Sequence, residues 1–122
     1  MTRETGLHAE ITERIIGCAI EVHRELGPGL LESAYERALC VELRAVGLRF
    51  ERQTPVLLRY KGLEIGEYRL DLLVENAVVV EVKSVDRLDP IHEAQVLTYL
   101  RLTQKRVGLL INFHSAVLKA GL

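Results

Sequence analysis

Residues 77–83 are the most β-prone stretch of the chain, reading Ala-Val-Val-Val-Glu-Val-Lys. β-branched side chains such as valine are enriched in strands. We therefore predict a strand here, around which the rest of the fold has to be arranged. Two charged residues inside this run, Glu81 and Lys83, do not suit a plain apolar core and are the first candidates for function.

Three further segments have the pattern of strands. Residues 50–60 and 68–74 are rich in Val, Leu and Tyr, and Lys61-Gly62 between them reads as a turn. Three strands joined by short turns indicate an antiparallel meander, and Pro55 favours an edge position or a bulge for the first of them. Residues 107–113 form a last apolar run, which predicts a buried strand.

Helical periodicity occurs in three places. Residues 10–26 carry an apolar side chain every three or four positions and end at the helix-breaking run Gly27-Pro28-Gly29. Residues 30–46 repeat the pattern and also end at a glycine. The third helix follows Asp89, a suitable N-cap, and Pro90, a suitable first helical residue. The side chains predicted to face the core are Leu31, Ala34, Tyr35, Ala38, Leu39 and Leu43 in the second helix, and Ile91, Ala94, Leu97 and Leu100 in the third.

The resulting element order is α-α-β-β-β-α-β. A strand, a helix and a buried strand in series form a right-handed crossover, so the last strand is expected to lie parallel to one of the others. We predict an α/β fold, a four-stranded mixed sheet flanked by helices. With 122 residues and no internal repeat or linker, the chain is expected to form a single domain over residues 1–122.

Composition excludes several classes of protein. Hydrophobic residues make up 48% and charged residues 27% of the chain, a balance typical of globular proteins. No apolar run approaches the roughly 20 residues that cross a bilayer, and the N-terminus lacks the apolar stretch of a secretory signal. Cys18 and Cys40 fall in helical segments, which argues against a disulfide framework. We expect a cytoplasmic protein that has no contact with membranes.

The charge balance bears on possible partners. Sixteen Lys and Arg residues against seventeen Asp and Glu residues give a net charge of -1. This balance counts against a protein that coats nucleic acid through bulk electrostatics, although a local basic patch is compatible with it. Possible phosphate contacts are Arg69, Arg101, Lys105 and Arg106.

The central hairpin places acidic side chains together if its connection has three residues. Val74 then lies opposite Val78, and Asp71 lies opposite Glu81. Because side chains alternate along a strand, Glu81 and Lys83 share a face, as do the residues Arg69, Asp71 and Leu73. A two-residue turn would shift the pairing by one and separate the two carboxylates.

Two neighbouring carboxylates repel each other unless a proton or a cation lies between them. Hard oxygen ligands suit Mg²⁺ or Mn²⁺, and a nearby lysine such as Lys83 can orient water or stabilise charge on a phosphate. Asp71, Glu81 and Lys83 therefore form a workable site for phosphodiester hydrolysis. The alternative is an amphipathic hairpin whose polar face is simply in water.

Polar side chains on two helices are secondary candidates. Glu32 precedes Tyr35 by three residues in the second helix, so the two share a side. An acidic residue near a helix N-terminus is also favoured by the macrodipole, and a tyrosine at a core-facing position is commonly packing. In the third helix, His92, Gln95 and Tyr99 lie along one stripe beside the apolar one. Such a polar stripe either orders a site or contacts substrate, or it is the ordinary polar side of a half-exposed helix.

The segment Gly29-Leu30-Leu31-Glu32-Ser33-Ala34-Tyr35 resembles the motif that names the GxxExxY proteins, small bacterial and archaeal domains of the PD-(D/E)XK nuclease superfamily. The resemblance covers nearly the whole chain, and the order and spacing of its pieces make it specific. These pieces are residues 22–29, Tyr60-Lys61-Gly62, residues 71–74, residues 80–83, Glu93-Ala94-Gln95, Tyr99-Leu100 and residues 108–113.

This resemblance implies a restriction-endonuclease-like core in which Glu32, Asp71, Glu81 and Lys83 surround one or two Mg²⁺ ions. The residue between Glu and Lys commonly offers its backbone carbonyl to the metal, which here is Val82. Gln95 and Tyr99 look similar to the Gln-x-x-x-Tyr of exonuclease-like branches. The chain lacks the cysteines for the iron–sulfur cluster of some relatives, so none is expected.

The resulting expectation is a Mg²⁺- or Mn²⁺-dependent nuclease that acts on DNA, with RNA the less favoured substrate. Gln95 and Tyr99 would support Lys83 or the substrate strand. The alternative is a non-catalytic nucleic-acid-binding or regulatory module that keeps the nuclease fold, or a structural subunit of a larger complex. The modest net charge favours the alternative, although a homodimer would join two basic patches into one surface.

Overall fold

The structure is a computed structural model that describes residue 6, residues 8–114 and residues 119–121. The predicted order of helices and strands is confirmed, and a short fifth strand follows it. Three residues are too few for a strand to show a pattern in sequence. The elements are α1 (Ala9–Leu26), α2 (Glu32–Ala45), β1 (Phe50–Tyr60), β2 (Leu63–Val74), β3 (Val78–Lys83), α3 (Pro90–Thr103), β4 (Val107–Asn112) and β5 (Lys119–Gly121).

The strands form one mixed sheet in the order β1-β2-β3-β4-β5. β1, β2 and β3 are the predicted antiparallel meander, and β1 lies at an edge, where Pro55 is tolerated. β4 runs parallel to β3 because α3 carries the chain back across the sheet, and β5 pairs antiparallel with β4. The predicted four-stranded mixed sheet flanked by helices is thus confirmed, with β5 as an addition.

Apolar side chains cover both faces of the sheet. On one face, which we call the α1–α2 face, the valines at alternate positions of β3 pack with side chains of α1 and α2. On the other, the α3 face, Val79 packs with Tyr99 of α3. The alternation predicted for β3 is therefore confirmed, with Val78, Val80 and Val82 on the α1–α2 face.

The predicted inward face of two helices needs correction. Leu31 precedes α2 and is 78% exposed. In α3 the buried side chains are Val96 and Tyr99, whereas Ile91 and Leu97 are exposed. Helical periodicity identifies apolar stripes along a helix. Which of two adjacent stripes is buried depends on the surface against which the helix packs.

Gly108 explains why α3 turns Val96 inward. A Cβ atom at Gly108 would lie 2.8 Å from Val96 Cγ1, far inside van der Waals contact. The absence of a side chain at this position of β4 therefore lets α3 approach the sheet closely. In this position of the helix, Val96 faces Gly108 of β4 and Tyr99 packs with Val79 of β3.

Cys18 and Cys40 are buried free thiols in α1 and α2. Burial raises the pKa of both thiols, so neither has the thiolate character of a reactive cysteine. Among the helices that the structure describes, none is long and apolar enough to cross a membrane.

Candidate active site

Asp71 and Glu81 lie side by side where β2 and β3 meet. The backbone ladder pairs Val74 with Val78 and continues to Leu72 and Val80, so the register expected from a three-residue connection is confirmed. At the next position, side chains take over from the ladder. The Asp71 N–H donates to Glu81 Oε2 at 2.9 Å, and the Val82 N–H donates to Asp71 Oδ2 at 2.8 Å.

Strand β2 changes face at Asp71. Leu70 packs in the cluster that contains Tyr99 on the α3 face, whereas Leu72 packs on the α1–α2 face. Opposite this point, Gln53 of β1 has a φ of 55°, in the left-handed region. The strict alternation that placed Arg69, Asp71 and Leu73 on one face is therefore wrong here, because a local irregularity rotates the strand.

Glu36 is a buried acid that the sequence analysis missed. Gln53 Nε2 donates to Glu36 Oε1 at 3.0 Å, and it lies 3.4 Å from Asp71 Oδ1, so one amide bridges two carboxylates. Arg52 Nε forms an ion pair with Glu36 Oε2 at 2.5 Å. A signal was available, because Glu36 precedes the buried Leu39 and Leu43 by three and seven positions, on the inward side of α2.

The electrostatics of the site favour a cation. Burial raises the pKa of Asp71, and the charge of Glu36 raises it further. Burial, followed by the charge of Asp71, raises the pKa of Glu81 to about 8. The Lys83 ammonium lowers the pKa of both carboxyls, which places its charge near the pair. The three acids Asp71, Glu81 and Glu36 thus outnumber the two cations Arg52 and Lys83.

This donor set suits a divalent metal ion in its chemistry. Carboxylate oxygens are the ligands that Mg²⁺ and Mn²⁺ prefer, and a cation would relieve the repulsion between Asp71 and Glu81. Within the described part of the chain, however, no three or more His, Cys, Asp or Glu side chains are grouped to hold a metal. The pair Asp71 and Glu81 is what the fold brings together.

Tyr99 and Gln95 of α3 line a groove beside the strand that carries Asp71. The Tyr99 ring is buried, and its pKa is raised by burial and then by the charges of Glu81 and Asp71. Gln95, one turn earlier, lines the same groove as Tyr99. His92 does not continue this stripe, because its Nδ1 accepts the Asp89 N–H at 3.0 Å in a capping box that begins α3.

The contacts of Glu32 and Tyr35 that the structure describes are with residues other than Asp71 and Glu81. Glu32 is exposed, and its Oε2 accepts the Ser84 N–H at 3.4 Å, just beyond the end of β3. Tyr35 is fully buried and stacks on Phe113 with ring centroids 4.6 Å apart. Its hydroxyl donates to the Gly27 carbonyl and accepts the Leu30 N–H. Tyr35 is therefore surrounded as a packing residue is.

The basic residues divide between two ends of the sheet. Arg69 NH1 donates to the Gln53 carbonyl at 3.2 Å, and its side chain is half exposed beside the site. Lys105 instead bonds to Asn76 in the β2–β3 turn, and Arg106 directly precedes β4, whose first residue pairs with Val78. Lys105 and Arg106 therefore lie at the far end of β3 from Glu81 and Lys83, and their role as phosphate contacts stays a prediction. Arg101 is exposed on α3.

Asn112 is a second buried polar residue that the sequence analysis missed. Its Oδ1 accepts the Val85 N–H at 3.1 Å and the His114 N–H at 3.1 Å, and its Nδ2 donates to the Val85 carbonyl at 2.9 Å. An asparagine at the end of an otherwise apolar strand was the available signal. These bonds hold the segment that follows Lys83 against the end of β4.

A family model of the PD-(D/E)XK nuclease superfamily matches residues 9–122. The chain belongs to this superfamily. Membership indicates nuclease activity and binding to nucleic acid, and nucleases of this superfamily generally use divalent metals. The mixed sheet with flanking helices of this superfamily member is consistent with a restriction-endonuclease-like fold.

Two other comparisons add little for this PD-(D/E)XK protein. No curated protein matches the chain significantly. A solved crystal structure, that of SSO0001, is similar with 18% sequence identity and a TM-score of 0.47. The similarity covers 93% of this chain and 77% of that one.

Proposed function

We propose that this protein is a Mg²⁺- or Mn²⁺-dependent nuclease that hydrolyses phosphodiester bonds of DNA, with RNA the less favoured substrate. The observation that carries the proposal is the pair of the half-buried Asp71 and the buried Glu81 beside Lys83, in a chain of a nuclease superfamily. We further propose that it is one of the GxxExxY proteins, on the segment from Gly29 to Tyr35, and that it acts in the cytoplasm.

The residues divide the work by their chemistry. Asp71 and Glu81 would hold the metal, and the Val82 carbonyl is a further candidate ligand. A bound divalent cation supplies Lewis-acid polarisation of a phosphate and a more acidic water. Lys83 orients the attacking water or stabilises negative charge on the phosphate. Arg69, exposed beside the site, neutralises the neighbouring phosphate, and Gln95 and Tyr99 border the substrate strand.

The acid contributed by α2 has two candidates. The family resemblance favours Glu32, which bonds to Ser84 N–H beyond the end of β3. The hydrogen-bond network favours Glu36, which shares the Gln53 amide with Asp71. We propose that Glu36 positions Asp71 through Gln53. Glu32 would instead contact a ligand that approaches from the end of β3 that carries Lys83.

The test is cleavage by the purified protein of single- and double-stranded DNA and RNA, with Mg²⁺, Mn²⁺ or EDTA. We expect metal-dependent cleavage that Asp71→Ala, Glu81→Gln and Lys83→Ala abolish. Glu64→Ala, an exposed acid on the same strand as Asp71, is the matched control and should cleave as the wild type does. Undiminished cleavage in the first three variants would overturn the assignment.

One observation favours a second candidate function. No three acidic, histidine or cysteine side chains are grouped for a metal in the described part of the chain, which suits a non-catalytic module that binds nucleic acid or regulates a partner. A homodimer would serve either function by joining two basic surfaces. Metal titration decides between the two, since the module would neither bind Mn²⁺ at Glu81 nor cleave any nucleic acid.

A further inference from the structure

An apolar groove runs between the β1–β2 hairpin and α3. Its volume is about 260 Å³, and Leu58 and Tyr68 form its hairpin side. The α3 side is formed by six side chains, Ile91, Ala94, Gln95, Thr98, Tyr99 and Leu102. Such a groove is small for a drug-sized ligand, which usually occupies 300–1,000 Å³, so it fits a single flat group.

Tyr68 is the exposed aromatic side chain of this groove. Its side chain is 46% exposed, although it sits over a packed interior. The Tyr99 ring lies behind it, with centroids 6.4 Å apart and an interplanar angle of 51°. That spacing leaves no room for a third ring between them, so Tyr99 supports Tyr68, and the exposed part of the Tyr68 ring is available to a ligand in the groove.

The groove is continuous with the candidate active site. Tyr99 packs in one cluster with Leu70, which directly precedes Asp71 in β2. Val79, two residues before Glu81 in β3, packs in the same cluster. A ligand in the groove therefore lies next to the carboxylates that would hold the metal.

The polar groups at the wall of the groove match the edge of a nucleobase. The Gln95 amide and the Thr98 hydroxyl provide donors and acceptors at the wall, suited to the edge of a base. The flat apolar surface of the groove and these polar groups at its wall thus correspond to the plane and the edge of one base.

We propose that this groove binds an unpaired nucleobase, stacked on Tyr68, next to the phosphate to be cleaved. The inference rests on the proposed function and names its substrate class, single-stranded nucleic acid or an unpaired end. In a duplex both faces of every base are covered by neighbouring pairs, so Tyr68 would have nothing to stack on. Base stacking on aromatic side chains is a general means by which proteins bind single strands.

The test measures binding without cleavage. Fluorescence anisotropy in EDTA follows a labelled oligothymidylate, the same strand in a duplex with oligoadenylate, and a single strand of abasic sites. We expect the oligothymidylate to bind more tightly than either of the other two. Tyr68→Ala should weaken its binding about 5- to 150-fold, as loss of one stacked base does, and Tyr68→Phe should retain it.

Tyr60→Ala is the matched control. Tyr60 is a tyrosine of the same hairpin that is 60% exposed but does not line the groove. It should bind the oligothymidylate as the wild type does. Because Tyr68 is exposed, its alanine variant is expected to fold, which thermal melting by circular dichroism checks. An equal loss in the Tyr60 and Tyr68 variants, or no loss in either, would overturn the proposal.

Other outcomes separate this proposal from the proposed function. Equal affinity for duplex and single strand refutes the groove as a base site, even if metal-dependent cleavage is observed. Tyr68-dependent binding of single strands with no cleavage in any metal supports the groove and refutes the nuclease. Light scattering that shows Tyr68→Ala to dissociate a dimer, with unchanged affinity for the oligothymidylate, identifies the groove as a subunit interface and refutes the proposal.

Discussion

The backbone N–H of Asp71 donates to the carboxylate of Glu81 at 2.9 Å, so that one acid of the site is held by the main chain of the other. The two strands separate at this position, and the carboxylates occupy the gap. Glu81 is buried and Asp71 is half-buried, and burial raises the pKa of both carboxyls. Without a proton or a cation between the two carboxylates, their repulsion therefore lowers the free energy of unfolding.

Stability without metal is expected to fall as the pH rises. Glu81 has a pKa of about 8 in the folded protein and 4.5 as its ordinary value. Between these values the folded state keeps a proton that the unfolded state releases. The stability from this proton is therefore fully present below about pH 4.5 and is lost as the pH rises through about 8.

Thermal melts in EDTA between about pH 6 and pH 9 check this prediction. The melting temperature should decrease over that range in the wild type. Glu81→Gln keeps the shape of the side chain but cannot lose a proton, so its decrease should be smaller. Parallel curves for the two proteins would contradict the prediction.

A divalent cation should stabilise the protein, and more so at high pH. A ligand that binds only the folded state, at 100 times its dissociation constant, adds about 2.7 kcal/mol to the free energy of unfolding. Protons compete with the metal for Asp71 and Glu81, so the increase in melting temperature with Mn²⁺ should be larger at pH 8 than at pH 6. Ca²⁺ and Mg²⁺ titrations show which ion the site prefers, and Glu81→Gln should abolish the effect.

Substitution of Glu36 should lower the free energy of unfolding much more than substitution of Glu32. Glu36→Ala leaves Arg52 and Gln53 without their carboxylate, and we expect a loss of about 1–3 kcal/mol in the free energy of unfolding. This is less than the 3–5 kcal/mol of a fully buried pair because the Arg52 side chain is 34% exposed. Glu32→Ala, at an exposed helix N-terminus, should cost at most about 1 kcal/mol.

Urea unfolding of both variants measures these costs, and cleavage assays show the roles in the site. If Glu36 positions Asp71, then Glu36→Gln should lower the affinity for Mn²⁺ while retaining most of the stability. The same loss of affinity in Glu32→Gln, with none in Glu36→Gln, would return the role to Glu32.

Gly108 should not tolerate a side chain. Gly108→Ala places a Cβ atom against Val96, and overpacking of this kind typically costs 1–3 kcal/mol. Gly17 in α1 is the control, because a Cβ there meets nothing within 4 Å. Gly17→Ala should stabilise the helix by roughly 0.5–1 kcal/mol. Thermal or urea unfolding of both variants checks the pair, and equal stability of the two would be inconsistent with the close approach of α3 to β4.

The elements of the fold could be predicted because each has a local cause. The valines of residues 78–82 favour a strand, Asp89 and Pro90 begin a helix, and Lys61-Gly62 makes a turn wherever they occur in a chain. The register between β2 and β3 also had a local cause, since the length of the connection at residues 75–77 sets it. This register brought Asp71 opposite Glu81 in the prediction, as the structure shows.

The predictions that were wrong concern surfaces that only distant residues can define. Val96 rather than Ile91 or Leu97 is buried because Gly108, on another strand, lets the helix approach there. A periodic pattern identifies a stripe of side chains and does not specify its partner.

The run of residues 77–83 by itself determined a strand with two charges that an apolar core would not accept. The tertiary structure decided what surrounds those charges: the gap where β2 and β3 separate, Glu36 and Gln53 arriving from α2 and β1, and Tyr99 from α3. Propensity and alternation depend on neighbours in the chain. Desolvation and charge at Glu81 depend on groups that are distant in sequence, and folding alone brings those groups together.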